Sequence, residues 1–179
     1  MDDPDNLTDF QFGDGQTDLL LRFHADFLGI KRLLLDGTVR YDIQLPDKEN
    51  KRVPSRVDLP LTANREKVKR DLGDVLQLEF MGRYDFTKSF SGGVKYLYAK
   101  KLKDHVEGNL GFNYSSLEDE TNFEHHNAYL FITYSTLQMY NEKKFPVPLG
   151  LKLEYRNRFA GKNNALESQY IALTVGVFF

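Results

Sequence analysis

The sequence predicts an all-β protein, an antiparallel up-and-down β-barrel that crosses a membrane, with about seven or eight strands in view. Three observations predict it. Apolar and polar residues alternate with period two in segment after segment, the pattern of strands with one greasy and one wet face. Short and long connections between those segments alternate, as they do in transmembrane barrels. No run of about 18 uncharged apolar residues exists, so a membrane-crossing helix is not encoded, while a strand needs only every second residue apolar to face lipid.

Composition allows this reading. The 179 residues suffice for one sizeable domain, read as a single barrel over 1–179. Net charge is −2, which speaks against a broad nucleic-acid-binding surface. Mean hydropathy is −0.50, low for a helical membrane protein but open to a barrel. Aromatic residues make up 13% of the chain, 14 Phe and 10 Tyr, which fits either a β core or rings at a membrane interface. Cysteine is absent, so disulfides and thiolate metal sites are excluded.

The segments follow in order. In the first, Leu19, Leu21, Phe23, Ala25 and Phe27 alternate with Asp18, Leu20, Arg22, His24 and Asp26. In the second, Leu33, Leu35, Gly37, Val39, Tyr41, Ile43 and Leu45 alternate with Leu34, Asp36, Thr38, Arg40, Asp42 and Gln44. The third sets Leu76, Leu78, Phe80, Gly82, Tyr84 and Phe86 against Val75, Gln77, Glu79, Met81, Arg83 and Asp85. The fourth has Phe90, Gly92, Val94, Tyr96 and Tyr98 opposite Ser91, Gly93, Lys95, Leu97 and Ala99. The fifth, about Asn127 to Tyr140, is apolar on both faces, so alternation does not orient it. The sixth sets Val147, Leu149, Leu151, Leu153 and Tyr155 against Pro148, Gly150, Lys152, Glu154, Arg156 and Arg158. The last carries Ile171, Leu173, Val175, Val177 and Phe179 on one face. An eighth strand is expected near Leu7 to Phe12. Residues 1–17 are otherwise read as flexible.

Short turns are expected near Gly29-Ile30-Lys31, Thr87-Lys88-Ser89 and Asn141 to Lys144. The longer links are 46–73, 101–124 and the smaller 161–167. Asn64 to Leu72 reads as a short helix or a solvated loop. Phe27, Phe86, Phe90, Tyr140, Phe145 and Phe179 sit beside the short turns, and Tyr41, Tyr98, Tyr155 and Phe159 lie towards the opposite ends. Two such belts are expected where rings settle at headgroup level.

Alternation alone does not say which face is inside. A soluble lipocalin-like barrel hides the apolar face inside and wets the charged one, and a membrane barrel does the reverse. The loop asymmetry and the aromatic belts favour the membrane version. The ionic side chains expected to line the lumen are Arg22, Asp26, Asp36, Arg40, Asp42, Glu79, Arg83, Asp85, Lys95, Lys152, Glu154, Arg156 and Arg158. Both signs are mixed, so they can pair with one another in a narrow interior or bias which solutes pass.

Other constellations carry less. His125 and His126 are adjacent, with Glu124 before them, but neighbours on a strand point to opposite faces, and a solvated stem is expected. The acidic groups near Asp2 and Glu118 lack calcium-loop spacing. No Ser–His pairing for a lipid-active enzyme is readable. Neither catalytic residues, a metal site nor a cofactor is expected.

The terminal strand, closed by Val175, Val177 and Phe179, resembles the assembly signal of bacterial outer-membrane barrels. Phe12-Gly13-Asp14-Gly15, then Val39 to Pro46, then Asp71-Leu72-Gly73-Asp74 and the closing Val177-Phe178-Phe179, resemble the Gram-negative outer-membrane channels for hydrophobic compounds. That group includes the long-chain fatty-acid transporters and the outer-membrane proteins of the phenol meta-degradation pathway. The resemblance implies an outer-membrane location, contact with outer-membrane lipid, and recognition of the last strand by the barrel-assembly machinery. It also implies a role in passive passage or uptake of small, including hydrophobic, molecules. The alternatives are a non-conducting structural barrel and a soluble ligand-binding one. No signal peptide precedes the first strand here, so the chain reads as a mature form, either a complete small barrel or the C-terminal part of a larger one.

Overall fold

The computed structural model describes residues 16–56, 64–163 and 165–177. The strand expected near Leu7 to Phe12 and the terminal Phe179 lie outside the described residues. What is described is an all-β chain with ten strands and almost no helix. The strands are β1 (Asp18–Ile30), β2 (Leu33–Gln44), β3 (Asp47–Arg52), β4 (Arg65–Asp71), β5 (Val75–Asp85), β6 (Phe90–Lys101), β7 (His105–Glu107), β8 (Phe123–Ser135), β9 (Leu149–Lys162) and β10 (Ser168–Val177). One helix, α1 (Leu137–Asn141), lies between β8 and β9, and a 3-10 turn covers Tyr114–Leu117.

Seven strands form one sheet in the order β1-β2-β5-β6-β8-β9-β10. Each of the seven alternating segments is therefore a strand of that sheet, in chain order. Among the described residues no ladder joins β1 to β10, so both are edges, and the predicted barrel is met as an antiparallel sheet rather than as a closed ring. The chain divides into two compact units. One comprises 22–39, 77–99 and 124–179. The other comprises 1–21, 40–76 and 100–123.

In the first unit, register aligns like with like. Ile132, Leu153 and Leu173 form one cross-strand row, and Tyr134, Leu151 and Val175 form the next. On the opposite face Thr133, Lys152 and Thr174 align, as do Phe131, Glu154 and Ala172. A one-residue slip would swap these faces, so the alternation pins the register. A bulge at His126–Asn127 absorbs one extra residue of β9. This orients β8, which alternation left open: Leu130, Ile132 and Tyr134 share the apolar face. Phe131 is the exception, an aromatic ring on the ionic face. It is buried there because Gly93 of β6 leaves room. A Cβ at Gly93 would stand 2.7 Å from the Phe131 ring and 2.3 Å from the Gly82 carbonyl oxygen.

The β1–β2 turn falls at Lys31–Arg32, a little later than the sequence places it, so Gly29 remains in β1. Arg32 takes the left-handed conformation, with φ at 66°. Thr136 fixes the β8–β9 link. Its hydroxyl donates to the Val147 carbonyl at 2.6 Å and accepts from the Leu149 N–H at 2.7 Å.

In the second unit, the two long links are not featureless loops. They supply β3, β4 and β7, a three-stranded antiparallel sheet in the order β3-β4-β7. The stretch Asn64 to Leu72, expected to be helix or solvated loop, is largely strand β4. Its alternation is real but nearly all polar: Glu66, Val68 and Arg70 face inward and the rest outward. Val53, Val68 and Val106 form a small core, with Phe112, Tyr114 and Leu117 packed against it. Arg70 is buried beside that core and meets Asp47 twice, at 2.6 and 2.8 Å, and Glu49 at 2.6 Å. Such a fork-shaped contact fixes strand register as well as charge.

Arg70→Ala is expected to loosen this small sheet by about 3–5 kcal/mol, because it strands the half-buried Asp47 carboxylate and leaves Glu49 with Lys51 alone. Amide hydrogen exchange along β3 and β4 would read the loss. Gly93→Val is expected to cost about 1–3 kcal/mol through overpacking, lowering the melting temperature, whereas an unchanged melt would contradict the close approach of Phe131.

Candidate functional site

The ionic face of the seven-stranded sheet is the candidate site. In the unit comprising 22–39, 77–99 and 124–179, its charges neutralise one another across short distances. Glu79 meets Lys95 at 3.7 Å, Arg83 meets Asp85 at 3.3 Å, and Lys152 meets Glu154 at 2.5 Å. Rings of the same face take up further positive charge. Lys95 lies 4.3 Å from the centre of Tyr129, Lys152 5.1 Å from Phe131, and Arg156 4.2 Å from Tyr170. Arg158 donates to the Asn127 side chain at 3.3 Å. These cation–ring contacts gain strength where water is partly excluded. Arg22 and Asp26 lie on the exposed edge strand β1. In the other unit, Arg40 pairs with Asp42 through two contacts at 3.0 and 2.8 Å.

His24 organises one end of this face. Its Nδ1 lies 2.8 Å from the Thr38 hydroxyl, and its Nε2 lies 3.0 Å from Asp36 and 3.3 Å from Asp26. The ligand atoms of His24, Asp26 and Asp36 fall within 4.8 Å of one another. Among the described residues this group has the geometry to hold a divalent metal, with Thr38 orienting the ring. Sequence reading put His24 on the polar face but could not see Thr38 and Asp36 reach it across the β1–β2 pair.

The apolar face carries two aromatic clusters. Tyr84, Phe86 and Phe90 cluster beside the β5–β6 turn, with ring centres 5.4 and 5.5 Å apart. Far along the strands, Tyr98, His126 and Phe159 form a second cluster around the imidazole. The Tyr96 hydroxyl reaches His126 Nδ1 at 2.6 Å. His126 is thus engaged with rings rather than with His125. Between the two clusters a groove of about 780 Å³ is lined by Leu35, Phe80, Val94, Leu130 and Tyr155, with the small Gly82 and Ala128 among its walls. Of the predicted assembly signal, Val175 and Val177 stand on this face, opposite Leu151 and Leu149.

In the small three-stranded sheet, three glutamates are held as anions. Burial pushes Glu66 up, but hydrogen bonds from the Asn109 N–H, the Tyr114 hydroxyl and the Leu110 N–H outweigh it and leave the carboxyl below its usual range. The Val106 N–H, donating at 2.9 Å, pulls Glu118 down, burial opposes, and His105 and Lys103 reinforce the drop. His105 and then Lys69 do the same for Glu107.

No family model, curated protein or solved structure matches this chain.

The lowered carboxyls set a direction for pH. Each contributes stability that is full above the ordinary glutamate value of 4.5 and is lost as pH falls through the lower folded value. Exchange protection of the Val106 and Asn109 amides is therefore expected to hold from neutrality to about pH 5 and to fall below about pH 4. Protection unchanged through that acid range would contradict the anchoring role of Glu66 and Glu118.

Proposed function

We propose that the seven-stranded sheet is wall of an outer-membrane β-barrel. Its apolar face meets hydrocarbon, and its ionic face lines a path for passive passage or uptake of small molecules, hydrophobic ones included. The observation that carries this is an inversion of burial. Phe80, Val94 and Leu130 are 55%, 59% and 57% exposed although β5, β6 and β8 are flanked by strands on both sides. On the opposite face the Asp36 and Glu154 side chains are only 7% and 15% exposed. In water that arrangement leaves large apolar side chains of interior strands uncovered, which soluble monomers rarely do over a contiguous face. In a bilayer the same exposed face is the favourable one.

Other features agree. Rings gather at two levels of the apolar face, as interfacial belts do. Short connections alternate with long ones. Mixed charges on the ionic face balance locally, which suits a lumen that tolerates varied solutes. In hydrocarbon every backbone group needs a partner, so the edges of β1 and β10 are paired in the assembled wall, with each other or through further strands. The resemblance in the terminal strand adds recognition by the assembly machinery.

Leu153→Arg, in the middle of the apolar band, is expected to cost about 2–4 kcal/mol and to block folding into lipid. Lys152→Leu, one residue away on the ionic face, is expected to fold. Equal tolerance at both would contradict the assigned faces. Planar-bilayer conductance and liposome swelling test passage itself. Channels or swelling with wild-type protein support transport, and a folded, silent barrel would leave the structural reading. A folded monomer in detergent-free buffer would overturn the membrane assignment.

A further inference from the structure

His24 differs from the other histidines in how its acids approach. Asp36 and Asp26 converge on the same ring nitrogen, Nε2, at 3.0 and 3.3 Å. His105 also has two acids, but they take opposite nitrogens: Glu118 lies 2.9 Å from Nδ1 and Glu107 lies 3.3 Å from Nε2. One ion on one nitrogen cannot meet both. At His126 one nitrogen is taken by the Tyr96 hydroxyl, and Glu124 alone stands near the other, at 3.5 Å. Among the described residues, the group at His24 is the one in which an imidazole and two carboxylates offer their ligand atoms to a single point, all within 4.8 Å of one another.

The distances are those of a coordination shell. An ion with bonds of about 2.1 Å sets neighbouring ligand atoms about 3.0 Å apart at a right angle and about 3.4 Å apart at a tetrahedral angle. Both contacts at Nε2 fall in that range. Asp26 is half exposed, so its carboxylate has room to turn and complete the set. Strand geometry supplies the spacing. His24 and Asp26 are two residues apart on the ionic face of β1, and Asp36 and Thr38 are two apart on that of β2. Thr38 is buried, and its hydroxyl lies 2.8 Å from Nδ1. A hydroxyl serves both states of the ring. It donates to bare Nδ1 when Nε2 carries the proton, and it accepts from Nδ1–H when Nε2 holds an ion. The ring keeps its orientation either way, which is what an outer contact does for a metal-ligating imidazole.

Nor does the site need acids that lack a partner. A single Nε2–H is shared between two carboxylates, and even a doubly protonated ring sets one positive charge against two negative ones. Glu79 of β5 adds to the negative field at Asp36, although Lys95 meets it at 3.7 Å. A divalent ion in place of the shared proton brings His24, Asp26 and Asp36 to neutrality.

We propose that His24, Asp36 and Asp26 bind one divalent transition-metal ion of the zinc class, which fastens the edge strand β1 to β2 and keeps a coordination position open to solvent. The imidazole among the donors favours zinc-class ions over calcium and magnesium, which take oxygen ligands. Fastening matters here because every residue of β1 is exposed, and an edge strand has a ladder on one side only. The claim stands on the β1–β2 pair and not on the barrel reading, so each survives or fails separately.

The test uses the untagged full chain in neutral detergent micelles, titrated by calorimetry with zinc chloride and, separately, with calcium chloride. One zinc per chain is expected, with calcium on the order of 100-fold weaker or less. His24→Gln and Asp26→Asn are each expected to weaken zinc on the order of 100-fold, and Thr38→Val, which keeps the shape but releases the ring, about 10-fold. His105→Gln is expected to leave zinc affinity intact. Amide exchange along residues 22–28 is expected to slow when zinc is added to the wild type and not when it is added to Asp26→Asn. The same amides without zinc show whether each variant still folds, and the half-exposed Asp26 is the position least needed for that. Absence of saturable zinc binding, calcium binding of equal strength, or zinc binding that survives in His24→Gln and falls in His105→Gln would overturn the proposal.

Discussion

The constraint on which the rest depends is that a β-strand has only two faces, and this chain gives one to hydrocarbon side chains and the other to ions. The ionic face is the more covered of the two. Its carboxylates, ammonium groups and rings satisfy one another at short range, through Lys95 between Glu79 and Tyr129 and through Lys152 between Glu154 and Phe131. The apolar face finds no such cover, even on strands flanked on both sides. Register, bulge placement and the position of small residues follow from keeping those two populations apart. Phe131 shows the same logic, since its ring enters the ionic face where Gly93 opens space, and there it accepts a lysine.

The small sheet works by the opposite rule. It has little apolar material, three valines and a few partly buried partners, so its order rests on anions held by backbone N–H groups and on Arg70 between two acids. A core of this size contributes little by itself, and polar anchoring supplies the specificity. Asp47, Glu49 and Glu66 face inward with Arg70 and Lys51, and Asp71 and Glu107 remain on the outer side.

Much of the main sheet was legible in the sequence because period two is a strong signal when one residue class keeps to one parity. Leu151, Leu153 and Tyr155 against Lys152, Glu154 and Arg156 is such a case. β8 was not orientable, since Phe131 and Leu130 are both apolar and only the position of Gly93 on a neighbouring strand distinguishes them. β4 was misread because Arg65 to Asp71 is nearly all charged, and a helix or loop accommodates that composition as readily as a strand. The distinguishing signal, inward acids of β3 matched to Arg70, is a cross-strand relation and appears only once the pairing is known. The cluster of His24, Thr38 and Asp36 was hidden for the same reason, as its members come from two strands.

The most direct test of the two-faced wall uses the absence of cysteine in the chain. Single cysteines placed at Leu173 and at Thr174, neighbours on β10 with opposite orientations, would carry spin labels in protein reconstituted into a bilayer. Collision rates with oxygen and with a water-soluble nickel chelate would then report each environment. The account predicts high oxygen and low nickel access at position 173, with the reverse at 174. Equal nickel access at both, or the reversed pattern, would contradict it.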